Sequence, residues 1–127
     1  MLKLPVILSG KVEHGRKLGS SFNIPTANIV PAEDISELEY GVYYSVIYIE
    51  EKAYKGITNL GTKPTVNDEN SVNVESFIYD FEGDLYGKEI KVKLLEFKRP
   101  EIKFENVDEL FAQVKEDLDA GRNYVAG

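Results

Sequence analysis

From residue 6 to residue 97 the apolar residues of this chain come in short runs rich in β-branched and aromatic side chains, and only after Asn106 does their spacing become helical. That pattern most constrains the fold. Six stretches fit strands: Val6–Val12, Ala27–Val30, Gly41–Ile49, Ala53–Leu60, Val72–Tyr79 and Glu89–Phe97. Glu89–Phe97 alternates, with Ile90, Val92 and Leu94 set against Lys91, Lys93 and Leu95, as a half-buried strand does. Val72–Tyr79 divides the same way, with Val72, Val74, Ser76 and Ile78 on one face and Asn73, Glu75, Phe77 and Tyr79 on the other. Glu50, Glu51 and Lys52 form a hairpin tip, and Glu82-Gly83-Asp84 signals a turn. After Asn106, a capping residue, Asp108 and Glu109 suit a first helical turn. Leu110, Phe111, Val114 and Leu118 recur at helical spacing, and Gly121 is expected to end the helix.

Parallel strands need long crossovers, usually helical, and no helical segment separates these strands. The expected class is therefore mainly β: an antiparallel barrel with one C-terminal α-helix packed outside. At 127 residues the chain fits one core.

Composition narrows the chemistry. There is no cysteine, which excludes disulfides and thiolate-ligated zinc and suits a cytoplasmic setting. His14 is the only histidine, so a Ser–His–Asp triad is disfavoured and carboxylates or metal-bound oxygen must handle protons. A net charge of −7 disfavours nucleic acid as partner, and no apolar run is long enough for a membrane helix. The cations cluster locally, at Lys11, Arg16 and Lys17 and at Lys98, Arg99 and Lys103, which fits a small anionic ligand. A monomer is the default.

Five segments carry candidate chemistry. Gly10–Gly19 bears three glycines, which let a backbone approach a phosphate and present N–H groups. Pro25-Thr26-Ala27-Asn28 offers a hydroxyl and an amide oxygen, both hard ligands suited to Mg²⁺. Asn59-Leu60-Gly61-Thr62-Lys63-Pro64-Thr65 and Asp84-Leu85-Tyr86-Gly87 read as further loops. Arg99-Pro100-Glu101-Ile102-Lys103-Phe104 puts an aromatic beside charges, suited to a flat heteroaromatic ligand or a helix staple. Glu75, taken alone, reads as an outward-facing, solvated glutamate.

In order along the chain, these segments resemble the riboflavin kinase (flavokinase) family, the kinase domain of bacterial bifunctional riboflavin kinase/FAD synthetases. The pieces are Gly-Lys-Val-Glu-His-Gly at 10–15, Pro-Thr-Ala-Asn at 25–28, Asn-Leu-Gly-Thr-Lys-Pro-Thr at 59–65, Glu75 followed by Asp80–Gly87, and Arg99–Phe104. The resemblance implies a six-stranded antiparallel Greek-key β-barrel with a C-terminal helix. It implies transfer of the ATP γ-phosphoryl group to the 5′-hydroxyl of riboflavin, giving FMN and ADP, with Mg²⁺. By the same resemblance Glu75 is the catalytic base, and Thr26 and Asn28 bind metal and phosphates. Gly15, Ser20 and Tyr86 lie on the ATP side, and Arg99 and Phe104 on the flavin side. Ser20 stands where the family has a phosphate-contacting cation, and Asn23 where it has a glycine. The other reading is a catalytically weak flavin-binding regulatory module; Ser20 favours it, whereas Thr26, Asn28 and Glu75 together favour the enzyme. No His-x-Gly-His signature is present, so residues 1–127 are expected to be a single kinase domain without an adenylyltransferase domain, either standing alone or excised from a bifunctional enzyme.

Overall fold

A computed structural model describes residues 3–13, 24–63 and 71–124. Six strands form one antiparallel sheet: β1 (Val6–Lys11), β2 (Thr26–Ile29), β3 (Gly41–Ile49), β4 (Lys52–Lys63), β5 (Ser71–Ile78) and β6 (Glu89–Pro100). The helix α1 (Val107–Asn123) follows. The sheet order is β1-β6-β3-β4-β5-β2. Within it β3, β4 and β5 form a meander and β6 returns beside β3, which is the Greek-key arrangement. The sheet curls into a half-barrel whose two edge strands approach each other. An isolated bridge joins Glu13 to Asn28, with the Glu13 amide donating to the Asn28 carbonyl at 2.7 Å. The expected class and strand positions hold.

Alternation sorts the strands into two layers. Inward residues, including Leu8, Ile29, Ile47, Leu60, Val74, Val92 and Leu94, make the barrel core. Three buried hydroxyls satisfy one another there, Ser45 with Thr58 at 2.8 Å and Thr58 with Ser76 at 2.8 Å. The outer face of β3, β4 and β5 carries Val42, Ile57 and Phe77, and Tyr79 follows directly after β5. These pack with Ile24 against Val114 and Leu118 of the helix, forming a second core.

Several boundaries differ from expectation for physical reasons. Glu50 and Glu51 turn the β3–β4 hairpin with φ of 49° and 72°, the two left-handed residues a tight hairpin needs, although neither is Asn or Gly. Asn106 caps α1 as expected, its Oδ1 accepting from the Glu109 amide at 2.9 Å. Gly121 does not end the helix, which runs on to Asn123. A Cβ at Gly121 would collide with the Tyr79 hydroxyl and with Ile57, so its glycine lets the helix approach the sheet closely. The segment from Asn59 to Lys63, expected as loop after Leu60, continues β4, and Arg99 and Pro100 continue β6.

Candidate active site

One row of neighbouring residues crosses five strands of the outer face. Asn28 on β2 lies opposite Glu75 on β5, Glu75 opposite Asn59 on β4, Asn59 opposite Val42 on β3, and Val42 opposite Arg99 on β6. At about 4.8 Å per strand the row spans roughly 19 Å. Register alone thus sets Asn28, Glu75 and Asn59 side by side.

Arg99 joins the row because of an irregularity. Tyr43 pairs with Phe97 and the preceding Val42 with Arg99, so Lys98 is the extra residue of a bulge. Phe97 packs inward against Tyr43, their rings 5.1 Å apart, and simple alternation would turn Arg99 inward as well. The bulge returns Arg99 to the outer face beside Lys98.

From Glu75 to Arg99 the row floors a cavity of about 720 Å³ between the sheet, α1 and the segment joining β6 to α1. That volume suits a small organic molecule. Val42, Ile57, Phe77, Phe104, Leu110 and Val114 supply apolar wall. Asn59, Glu75, Arg99, Glu101 and Asp117 supply polar groups. Glu75 faces outward, as its strand position dictates, but it is not solvated: only 5% of it is exposed, in a cavity that the helix and connecting segment also line. The Glu101 carboxylate lies where a Cβ on Gly61 would stand.

Asn28 is also 5% exposed, and its Oδ1 accepts from Asn73 Nδ2 at 3.2 Å. Thr26, two residues earlier, shares that face and is half-buried. Asn28 ends the row and Thr26 lies beside it; neither lines the cavity. Phe104 lines the cavity and is half-buried. Tyr86 does not line it and is 55% exposed. Its loop is tied to the end of β1, with the Gly87 amide donating to the Val12 carbonyl at 3.1 Å, next to the Glu13–Asn28 bridge. Gly15 and Ser20 lie outside the described residues.

Asp117 was not among the residues singled out from the sequence. It is 5% exposed and accepts from Arg99 Nη2 at 2.6 Å, Arg99 Nε at 3.0 Å, Lys98 Nζ at 2.9 Å and Gln113 Nε2 at 3.1 Å. Burial alone would raise its pKa. The hydrogen bonds from Arg99 and Lys98 and the guanidinium charge outweigh that and hold it below its ordinary 3.8. The stabilisation is therefore complete above pH 3.8 and is lost as pH falls below that value toward the folded-state pKa. Melting temperature followed from pH 6 to pH 2 should fall more steeply for the native chain than for Asp117→Asn, which has no carboxylate to protonate. Parallel curves would contradict this assignment. A signal was present in the sequence: Asp117 falls on the buried helix stripe with Val114, Leu118 and Gly121.

Comparison with known proteins agrees with this fold. The family model for riboflavin kinase (Flavokinase) matches residues 2–125. The bifunctional riboflavin kinase/FMN adenylyltransferase of Escherichia coli (strain K12) is 37% identical over 125 residues, covering 98% of this chain and 39% of that protein. A crystal structure of a macrolide-efflux protein from Streptococcus pneumoniae superposes with TM-score 0.81 at 31% identity, covering 95% of this chain and 40% of that one. Riboflavin kinase from Trypanosoma brucei shares the fold, with TM-score 0.61 at 24% identity over 92% of this chain and 77% of its own. The chain spans between 19% and 48% of the length of four curated relatives that it matches. No helix among the described residues is long and apolar enough to cross a membrane. With a Greek-key half-barrel, an outer-face cavity and a family match over nearly its whole length, the chain belongs to the riboflavin kinase family.

Proposed function

We propose that this protein transfers the γ-phosphoryl group of ATP to the 5′-hydroxyl of riboflavin, giving FMN and ADP. The observation that carries the reading is the buried Glu75 carboxylate in the cavity wall, in register with Asn28 on one side and Asn59 on the other. A carboxylate there can accept the proton of a bound alcohol as its oxygen attacks phosphorus. The apolar wall with Phe104 suits the isoalloxazine ring, Arg99 suits its carbonyl edge, and the polar floor suits the ribityl chain. On this reading the phosphates lie toward Thr26 and Asn28, beyond Glu75 in the row.

The residues present fit Mg²⁺. Thr26 and Asn28 offer two neutral oxygens on one face of β2, and Asn28 Oδ1 keeps a lone pair beyond the one Asn73 uses. The described residues contain no cluster of three or more His, Cys, Asp or Glu. So sparse a donor set suits an ion that arrives with phosphates and keeps its waters. When bound, Mg²⁺ would offset charge on the phosphate oxygens. Glu75 would orient the ribityl hydroxyl and take its proton. The chain's other contribution is positioning: the helix and the 101–106 segment exclude water, and the rigid register fixes the acceptor. The reading keeps Gly15, Ser20 and Tyr86 on the ATP side and Arg99 and Phe104 on the flavin side. It takes the protein as a cytoplasmic monomer acting on small molecules, without nucleic acid or membrane.

ATP labelled in its γ-phosphate tests the transfer. Label recovered on the flavin supports it; label released only as inorganic phosphate would replace the kinase with a nucleotide hydrolase.

A further inference from the structure

We propose that Asp117 is a positioning residue for flavin recognition, acting by fixing the Arg99 guanidinium at the cavity wall; the proposal rests on the reading that this cavity takes riboflavin. Asp117 grips the edge of the guanidinium that carries Nε and Nη2, and Arg99 Nη1 donates to the Pro100 carbonyl at 3.0 Å. Three of five N–H groups are thereby committed among the described residues. Two remain, in a plane the other bonds fix, for the carbonyl edge of a heteroaromatic ring.

Fastening the helix to the sheet does not require this arrangement. Lys98 already reaches Asp117 at 2.9 Å, and Val114 and Leu118 are packed on Ile57 and Phe77. What the second pair adds is a fixed orientation for Arg99, which among the described residues is the cation whose side chain both meets Asp117 and lines the cavity. The Lys98 bulge brings the guanidinium to this face, and Asp117 locks it there. Pre-ordering a long side chain removes an entropy cost that the ligand would otherwise bear on binding.

Riboflavin affinity, read from quenching of flavin fluorescence, and melting temperature are measured for the native chain, Asp117→Asn, Arg99→Ala, their double variant and Lys98→Met. Asp117→Asn should weaken riboflavin binding about 10-fold, the worth of one charge-assisted contact. Arg99→Ala should cost a similar factor, and the double variant no more than Arg99→Ala alone, because one residue acts through the other. Its KM for riboflavin should rise while kcat stays within about two-fold, since Glu75 is untouched. Lys98→Met should lower the melting temperature and leave affinity unchanged. Unchanged affinity in Asp117→Asn, or losses that multiply in the double variant, would overturn the proposal. Should Asp117→Asn fail to fold, Asp117→Glu keeps the charge but displaces the guanidinium; native affinity in that variant would equally overturn it. A native chain that binds no riboflavin would overturn the flavin reading itself, and the proposal with it.

Discussion

Replacing Glu75 by glutamine is expected to lower FMN formation by about 10²–10⁴-fold, the usual contribution of a positioned general base. Glutamine keeps the shape and a hydrogen-bonding tip but cannot take a proton at neutral pH. The side chain is 5% exposed among packed neighbours, so an isosteric change leaves the cavity wall in place. Riboflavin affinity should therefore stay close to that of the native chain, and the loss should appear in kcat rather than KM. Turnover within about two-fold of native would remove Glu75 from the proton transfer and leave it a wall residue.

Gly41→Ala should be the most damaging single-methyl change in the sheet. Gly41 has φ of 151°, which a side chain tolerates poorly. A Cβ there would collide with the Arg99 carbonyl and stand 2.8 Å from Pro100 Cα and 2.9 Å from the Phe97 ring. Backbone strain and overpacking together should cost about 2–5 kcal/mol. For a domain of this length that is roughly a 10–20 °C fall in melting temperature. Since β6 would have to move at Arg99, riboflavin affinity should fall with it. Gly87→Ala is the comparison. Gly87 also has positive φ, 85°, but an added Cβ meets nothing within 4 Å. Strain alone should cost about 1–2 kcal/mol there. Equal melting temperatures for the two variants would contradict the packing argument.

The strands were legible because their alternation is local. Ile90, Val92 and Leu94 announce their common face without reference to any partner, and the absence of intervening helices disfavoured a parallel sheet. The site was legible only in part. Glu75 on its own looked solvated, because nothing near it in the chain says that a helix more than thirty residues later will cover that face. The resemblance of the motifs marked it, and burial accounts for why a carboxylate there can matter. The row from Asn28 to Arg99 could not be read, since register is a property of pairing between distant strands. Asn59 appeared within a motif, but its place beside Glu75 follows from the β4–β5 register. Arg99 reached the outer face through a bulge that alternation does not anticipate. Gly121 was misread because a glycine late in a helix ordinarily serves as a stop, whereas here it admits Tyr79 and Ile57. Asp117 was missed because acids on this helix are common, and only its position on the buried stripe distinguishes it.

FMN formation from riboflavin, followed by chromatography with ATP and Mg²⁺ present and with each omitted in turn, tests the account most directly. It predicts a product that co-elutes with FMN, requires both additions and disappears in the Glu75→Gln variant. Quenching of riboflavin fluorescence without any FMN formed would contradict it, and would make the protein a flavin-binding module whose buried carboxylate does no chemistry.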